Sequence, residues 1–330
     1  VPYSELDLRF CKEAVMSSDS VQRIADAAEM YWIRGMTVEE VGRNLHVSRS
    51  TVSRLLARAR ADGIIQFTVS QDQNRSGHLG RQLDSCYGVH SHVIATSDGA
   101  SSGERLEVVA EAAARLLNRM LGSDMTLTVA WGATVEAVSK HLDIRPVRGL
   151  RIVQFNGSGN MATSGIEYAG TLLQRFGQAT GGTIHYFPVP AFFDSVDTKR
   201  CMWQERSVRR ILGMRKKADI LLSSIGTFSS ELPGHLYRAA YLDRADLEEL
   251  RAENVVGDLG ATFFRGDGST EGITCNERST GMTFAELRRI RTRLLVVADP
   301  RKAAALRAVL KAGVVTDLLV DAQTAAAVLA

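Results

Sequence analysis

The sequence predicts an α/β fold class: a small N-terminal helix-turn-helix domain, then a doubly wound, mostly parallel α/β domain. Three observations carry this. Residues 19–67 show helical spacing broken by a tight turn, whereas from about residue 88 short apolar runs alternate with helical patterns, as strand–helix–strand units do. The 330 residues suffice for two domains at about 150 residues each. The make-up, 45% apolar and 23% charged, is that of a globular chain and excludes wholesale disorder.

Charge and cysteines narrow the class. A net charge of +3 excludes a polybasic nucleic-acid binder, so any nucleic-acid contact needs a local patch. Cys11, Cys86, Cys201 and Cys275 are too widely spaced for a zinc finger, and free thiols fit a reducing compartment. No apolar run approaches the roughly 18 residues of a membrane span, and VPYSELDLRF has no basic-then-apolar signal. A cytoplasmic protein without membrane contact, metal or cofactor is the expectation.

Taken in order, residues 1–18 form an N-terminal extension with no assignment, and residues 19–70 the helix-turn-helix domain. In 21–34, Ile24, Ala27, Ala28, Tyr31 and Trp32 share one helical face, and Gly35 ends the helix. Thr37 and Glu40 have the spacing of a capping box for a second helix with Val38, Val41 and Leu45 inward. Ser48 caps a third helix over 49–61, with Val52, Leu55, Leu56 and Ala59 inward. Its outward residues include four arginines, and 48–61 contains no acid. The first turn of such a helix meets base edges, where Arg49 and Arg54 can fork onto guanine and Ser50, Thr51 and Ser53 can bond a base or a phosphate. Arg58 and Arg60 suit phosphates. With Thr37 and Ser48, Arg49, Ser50, Thr51, Ser53, Arg54 and Arg58 are the candidate DNA-binding residues. The competing reading is a helical subdomain with a solvated basic face. A wing-like strand is expected over 64–69.

Residues 71–88 are expected to be a linker or coupling helix: 68–80 is polar and Gly-containing, while Leu79, Leu83 and Tyr87 share a face that could pack between subunits. The larger domain spans 89–330. Strands are expected at 89–95, 125–130, 150–155, 183–187, 218–225, 294–298 and 318–320, and helices at 104–121, 134–142, 168–176, 302–312 and 322–329.

Three turns follow strands in this domain: Gly132-Ala133-Thr134, Asn156-Gly157-Ser158 and Gly226-Thr227-Phe228. Small residues there let backbone amides approach a ligand, and in an open parallel sheet ligands bind beyond the carboxyl ends of the strands. Each alone reads equally as an ordinary turn; their convergence would make a pocket. Asp258, Asp267 and Lys302 are candidate anchors, the carboxylates for hydroxyls and the lysine for a phosphate. His90 and His92 alternate on a strand without a third ligand. Lys140 could form an imine with an aldehyde only if desolvated, and no nucleophile–base pair stands out.

The run MYWIRGMTVEEVGRNLHVSRSTVSRLLARARADGII (30–65) resembles the DNA-binding segment of the SorC family of bacterial sugar-responsive transcription regulators. The likeness continues through VAWGATVEAV (129–138), VQFNGSGN (153–160), LLSSIGTF (221–228), VVGDLGATFFRGDG (255–268) and LVVADPRKAAALRAVLKAGVVTDLLVD (295–321). It implies an effector-binding domain similar to sugar-phosphate isomerases, glucosamine-phosphate deaminases and CoA transferases. It also implies a homodimer or homotetramer on double-stranded operator DNA, controlled by a phosphorylated sugar or sugar alcohol. Where relatives often carry Gly-Gly in two of these loops, this chain has Asn156-Gly157-Ser158 and Asp299-Pro300-Arg301, which keeps an unphosphorylated sugar or polyol open. The alternative is an isomerase- or deaminase-like enzyme with an appended helical domain.

Overall fold

The computed structural model describes residues 18–62, 64–65, 73–97, 99–228 and 234–330. The chain divides between Ser70 and Gln71 into two compact units. The wing expected over 64–69, beyond Ile64 and Ile65, and the extension at 1–18, before Ser18, lie outside the described residues.

The first unit holds α1 (Ser18–Ala28), continued by a wide π turn over Glu29–Ile33, then α2 (Val38–Leu45) and α3 (Arg49–Ala61). Thr37 and Glu40 close the capping box. Between α2 and α3 the chain reverses tightly: His46 adopts a left-handed φ of 53°, and the Val47 amide donates to the Gly42 carbonyl at 2.9 Å. A Cβ on Gly42 would sit 2.9 Å from the Val47 carbonyl oxygen, so the turn needs glycine there. Ala27, Val41, Val52 and Leu56 form the core of the three helices.

The second unit opens with α4 (Gln73–Tyr87) and β1 (His90–Ile94), followed by α5 (Ser102–Met120), β2 (Thr126–Val129), α6 (Ala133–Lys140), β3 (Arg151–Gln154), α7 (Ile166–Thr180) and β4 (Thr183–His185). After α8 (Val196–Met202) and α9 (Arg206–Lys216) come β5 (Ile220–Ser223), β6 (Ile225–Gly226), α10 (His235–Arg238), α11 (Arg244–Ala252), β7 (Val255–Leu259) and β8 (Thr262–Arg265). The chain ends through α12 (Thr274–Arg278), α13 (Phe284–Leu287), β9 (Thr292–Val297), α14 (Ala303–Lys311), β10 (Asp317–Asp321) and α15 (Ala322–Leu329). Seven strands form one sheet in the order β1-β10-β9-β5-β2-β3-β4, every pairing parallel. Leu294 and Val296 of β9 pack into one core, Leu295 and Val297 into another. Both faces are covered, so β9 reads as an unbroken apolar run rather than an alternation.

Three expectations need correction. The strand expected over 218–225 is two strands, broken at Ser224: β6 leaves the large sheet and pairs antiparallel with β7, which pairs with β8. Gly257, Asp258 and Gly260 interrupt the apolar pattern there and hid both β7 and β8. Residues 73–80, expected as linker, are the first half of α4. Leu79 and Leu83 are buried with Tyr87 against the core of the second unit, so burial outweighs weak local propensity, and that face is not available between subunits.

Candidate functional site

On α3 the predicted polar residues point away from the core. Ser48, Arg49, Ser50, Ser53, Arg54 and Arg58 are exposed, while Val52, Leu56 and Ala59 are buried. The Ser48 hydroxyl accepts from the Thr51 amide at 3.3 Å and meets the Ser50 and Thr51 hydroxyls at 2.9 Å. Arg49 pairs with Glu39 at 2.9 Å and Arg58 with Asp62 at 3.1 Å, all partly in water. Arg54 donates to the Ser50 carbonyl at 3.4 Å. Arg60 stacks over Trp32 at 5.3 Å. The Thr37 hydroxyl is committed to Glu40, which leaves Thr37 a support of α2 first.

In the second unit the chain runs β2, β3, β4 outward in one direction and β5, β9, β10 in the other, so β2 and β5 flank the topological switch point. Such a point leaves a crevice beyond the strand ends. A cleft lies there, lined by Trp131, Gly132, Ala133 and Thr134 after β2, Asn156 after β3, Ser224, Ile225 and Gly226 after β5, and Asp258 and Lys302.

Local chemistry explains each placement. Gly132 has φ 152°, a conformation that favours glycine, and precedes α6 with no side-chain cap on its first-turn amides. Lys302 follows a tight turn fixed by Asp299, whose carboxylate accepts from the Arg301 amide at 3.0 Å. One Lys302 Nζ hydrogen bond goes to the Ile225 carbonyl at 2.9 Å. Burial pulls its pKa below the usual lysine value, against the opposing pull of Asp299 and Asp258. Asp258 accepts from the Tyr237 hydroxyl at 2.9 Å and the Ala261 amide at 3.0 Å. Burial raises its pKa although both bonds and Lys302 oppose, and burial together with Asp258 holds the Tyr237 phenol well above its usual value. A Cβ on Gly226 would fall 2.1 Å from Asp258 Oδ1, so only glycine admits this carboxylate. Two side-chain oxygens in the cleft wall, Asn156 Oδ1 and Ser224 Oγ, are buried without a hydrogen-bond partner.

The structure thus brings together Gly132, Ala133, Thr134, Asn156, Gly226, Asp258 and Lys302. Gly157, Ser158, Thr227 and Phe228 stand behind or beside the cleft rather than in its wall. The Gly157 amide donates to Thr280 at 3.0 Å, and its carbonyl accepts from Trp131 at 3.0 Å. The Ser158 carbonyl accepts from Tyr241, Thr227 Oγ1 is buried and unpartnered, and the Phe228 ring packs on Tyr237. Asp267 is a correction: it sits in the exposed turn after β8, its carboxylate accepting from the Ser269 amide at 2.9 Å, so it stabilises a turn. Lys140 faces Glu136 at 3.4 Å on the surface of α6 and is not desolvated. Sequence reasoning missed His235, Tyr237 and Ser224; nothing local marks a residue that reaches the cleft only through the small antiparallel sheet and α10.

The helix-turn-helix and the cleft at the strand ends define a ligand-responsive regulator of transcription. Residues 71–330 match the family described as "Putative sugar-binding domain", and residues 26–62 match "Sigma-70, region 4", a helix-turn-helix. The chain belongs to the SorC family of sugar-binding transcriptional regulators. It is 28% identical over 313 residues to the deoxyribonucleoside regulator of Bacillus subtilis, covering 94% of this chain and 98% of that protein. A domain of a possible sugar-binding transcriptional regulator from Arthrobacter aurescens TC1 is 42% identical, with TM-score 0.73 over 77% of this chain and 98% of that one. The full-length sorbitol operon regulator SorC from Klebsiella pneumoniae shares the fold, with TM-score 0.83 and 24% identity over 95% of this chain and all of that one. These relatives are regulators of transcription, which speaks for the regulator reading over the isomerase alternative. Among the described residues no helix is long and apolar enough to cross a membrane.

Proposed function

We propose that the cleft binds a phosphate ester of a sugar or sugar alcohol, and that occupancy changes the affinity of α3 for double-stranded operator DNA within a homo-oligomer. The observation that carries the ligand reading is the pair of buried, unpartnered oxygens, Asn156 Oδ1 and Ser224 Oγ, in a cleft that also holds Lys302 and the uncapped start of α6. Unpaired buried acceptors destabilise a fold until something bonds them, and hydroxyls do so. Lysine beside free helix amides suits a phosphate. Asp258 supplies an acceptor, and Gly157, Ser158, Thr227 and Phe228 shape the wall from behind. On α3, Arg49 and Arg54 read bases, with Ser50, Thr51 and Ser53 beside them, while Ser48 and Arg58 meet phosphates; Thr37, capping α2, holds that helix in place beneath them.

Linkage requires the ligand to bind the DNA-competent and DNA-free states unequally. The test is a thermal-shift screen of sugars, polyols and their phosphates, followed by fluorescence anisotropy on a labelled fragment from upstream of the protein's own gene. A binder raises the melting temperature with its concentration, and the same compound shifts DNA affinity. A compound that stabilises the protein yet leaves DNA affinity unchanged at every salt concentration refutes the coupling.

A further inference from the structure

The helix α9 carries a strongly basic face that neither the cleft nor α3 uses. Its sequence, RSVRRILGMRK, and the Lys217 that follows it contain no acid. At 3.6 residues per turn, Arg206, Arg209, Arg210, Lys216 and Lys217 fall on one side, and all five are exposed. Val208 and Ile211 occupy the other side, buried with Val153 and Phe187. Gly213 lies in the middle of the basic side, where a Cβ would meet nothing within 4 Å, so the stripe is open along its length. Arg210 approaches His185 at 3.4 Å, and Lys216 faces Glu286 at 3.4 Å. Among the described residues, the side chains of Arg206, Arg209 and Lys217 have no hydrogen-bond or ion-pair partner.

A buried cation adds to the stripe from below. Arg215, on the inner side of α9, lies between the Phe155 and Phe187 rings at 5.3 and 4.8 Å, and its Nε and Nη1 have no hydrogen-bond partner. Burial lowers its pKa to about 10 against the opposing pull of Glu286, which leaves it charged near neutrality. At 1.5 Å per residue the stripe runs over about 16 Å, the axial rise of about five phosphates of one DNA strand. The chain as a whole carries only +3, so the positive field is local to this helix face. A membrane surface matches it poorly, because interfacial helices insert an apolar face and that of α9 is in the core. An acidic protein matches it poorly too, because protein interfaces centre on aromatic and apolar groups, which the stripe lacks. Phosphates of duplex DNA need only the row of cations.

We infer that the outer face of α9 is a second, sequence-independent contact for duplex DNA, separate from the base-reading residues of α3. This rests on the reading of the chain as a regulator that binds DNA. The test is fluorescence anisotropy of the full chain on a labelled duplex of scrambled sequence, over a series of salt concentrations. Arg206→Gln, Arg209→Gln and Lys217→Gln together weaken binding at least about tenfold at about 0.1 M salt and make the slope of log K against log salt shallower by about 2 to 3. The ratio of operator to scrambled affinity stays within about twofold, because phosphate contacts carry no sequence information. A charge-matched variant with Arg115→Gln, Arg119→Gln and Arg244→Gln, exposed positions on other helices of the second unit, keeps the natural slope. An unchanged slope in the α9 variant overturns the inference, as does an equal change in the charge-matched variant. Weaker binding to phosphatidylserine vesicles with none on DNA also overturns it. Arg49→Ala with Arg54→Ala tests α3 separately: if operator preference survives that pair, the α3 reading fails while the salt slope still decides α9. Failure of the natural chain to bind any duplex overturns both.

Discussion

The outer face of α3 and the cleft at the strand ends handle polar groups in opposite ways. On α3 most of the predicted side chains sit in water with replaceable neighbours: the Arg49–Glu39 pair leaves 76% and 54% of its two side chains exposed. Surface pairs of this kind are worth about 0–1 kcal/mol, so a DNA phosphate displaces them at little cost. In the cleft, Asn156 is 2% exposed and its oxygen bonds nothing. A buried unmade bond costs about 1–3 kcal/mol, which a ligand recovers. The surface thus offers charges that a large partner could take up, and the cleft holds buried groups that a small one could complete.

Substitutions can break that contrast. The largest effect is expected from Lys302→Met: removing a buried, charge-assisted donor costs about 2–3 kcal/mol of effector binding, roughly 30- to 150-fold, while DNA affinity without effector is unchanged. Calorimetry paired with anisotropy checks it, and an unaltered effector Kd would remove Lys302 from the site. Next comes Arg54→Ala, with a loss of about 1–3 kcal/mol on operator DNA, relaxed specificity and intact effector binding. A uniform loss across DNA sequences with a shallower salt slope would make Arg54 a phosphate contact instead.

Two milder variants sharpen the comparison by separating stability from binding. Asn156→Ala deletes an oxygen that bonds nothing, so the free protein keeps its melting temperature while effector affinity falls about tenfold. Ser48→Ala does the reverse, costing about 1 kcal/mol through the lost cap of α3 with no change in effector affinity.

The smallest effect is one of pH. Burial lowers the pKa of Lys302, so above that pKa the unfolded chain binds more protons than the folded one. This group's stability penalty is full at lower pH and fades as pH rises from the lowered folded pKa toward about 10.4. Affinity for an anion runs the other way and falls as Lys302 discharges, earlier than an ordinary lysine would. Titrations from about pH 8 to about 10.5 should show the decline in the natural protein and a flat profile in Lys302→Met; parallel curves would mean another group titrates.

Legibility in the sequence followed the range of the interactions. The Thr37–Glu40 capping box, the Ser48 cap and the inward faces of α1 to α3 were readable because each is settled within one or two helical turns. So were the core strands of the large sheet, whose residues are apolar on both faces. The loops Gly132–Thr134 and the glycine of Gly226 were visible as turns, but a turn alone does not say what it faces. Asp267 and Asp258 show this: both stand in Gly-containing stretches, yet one caps a turn in water and the other is buried under Tyr237.

The chain by itself determined the three N-terminal helices, the core strands of the large sheet and which side of α3 carries charge, since backbone hydrogen bonding and burial periodicity act between near neighbours. Only the tertiary structure decided that β6 leaves the sheet, that α4 packs onto the second unit, and that Asn156, Ser224, Asp258 and Lys302 meet. Those outcomes depend on strand order, which brings positions up to 172 residues apart to one crevice. No local pattern encodes that order, because it arises from how two faces of one sheet are covered at once.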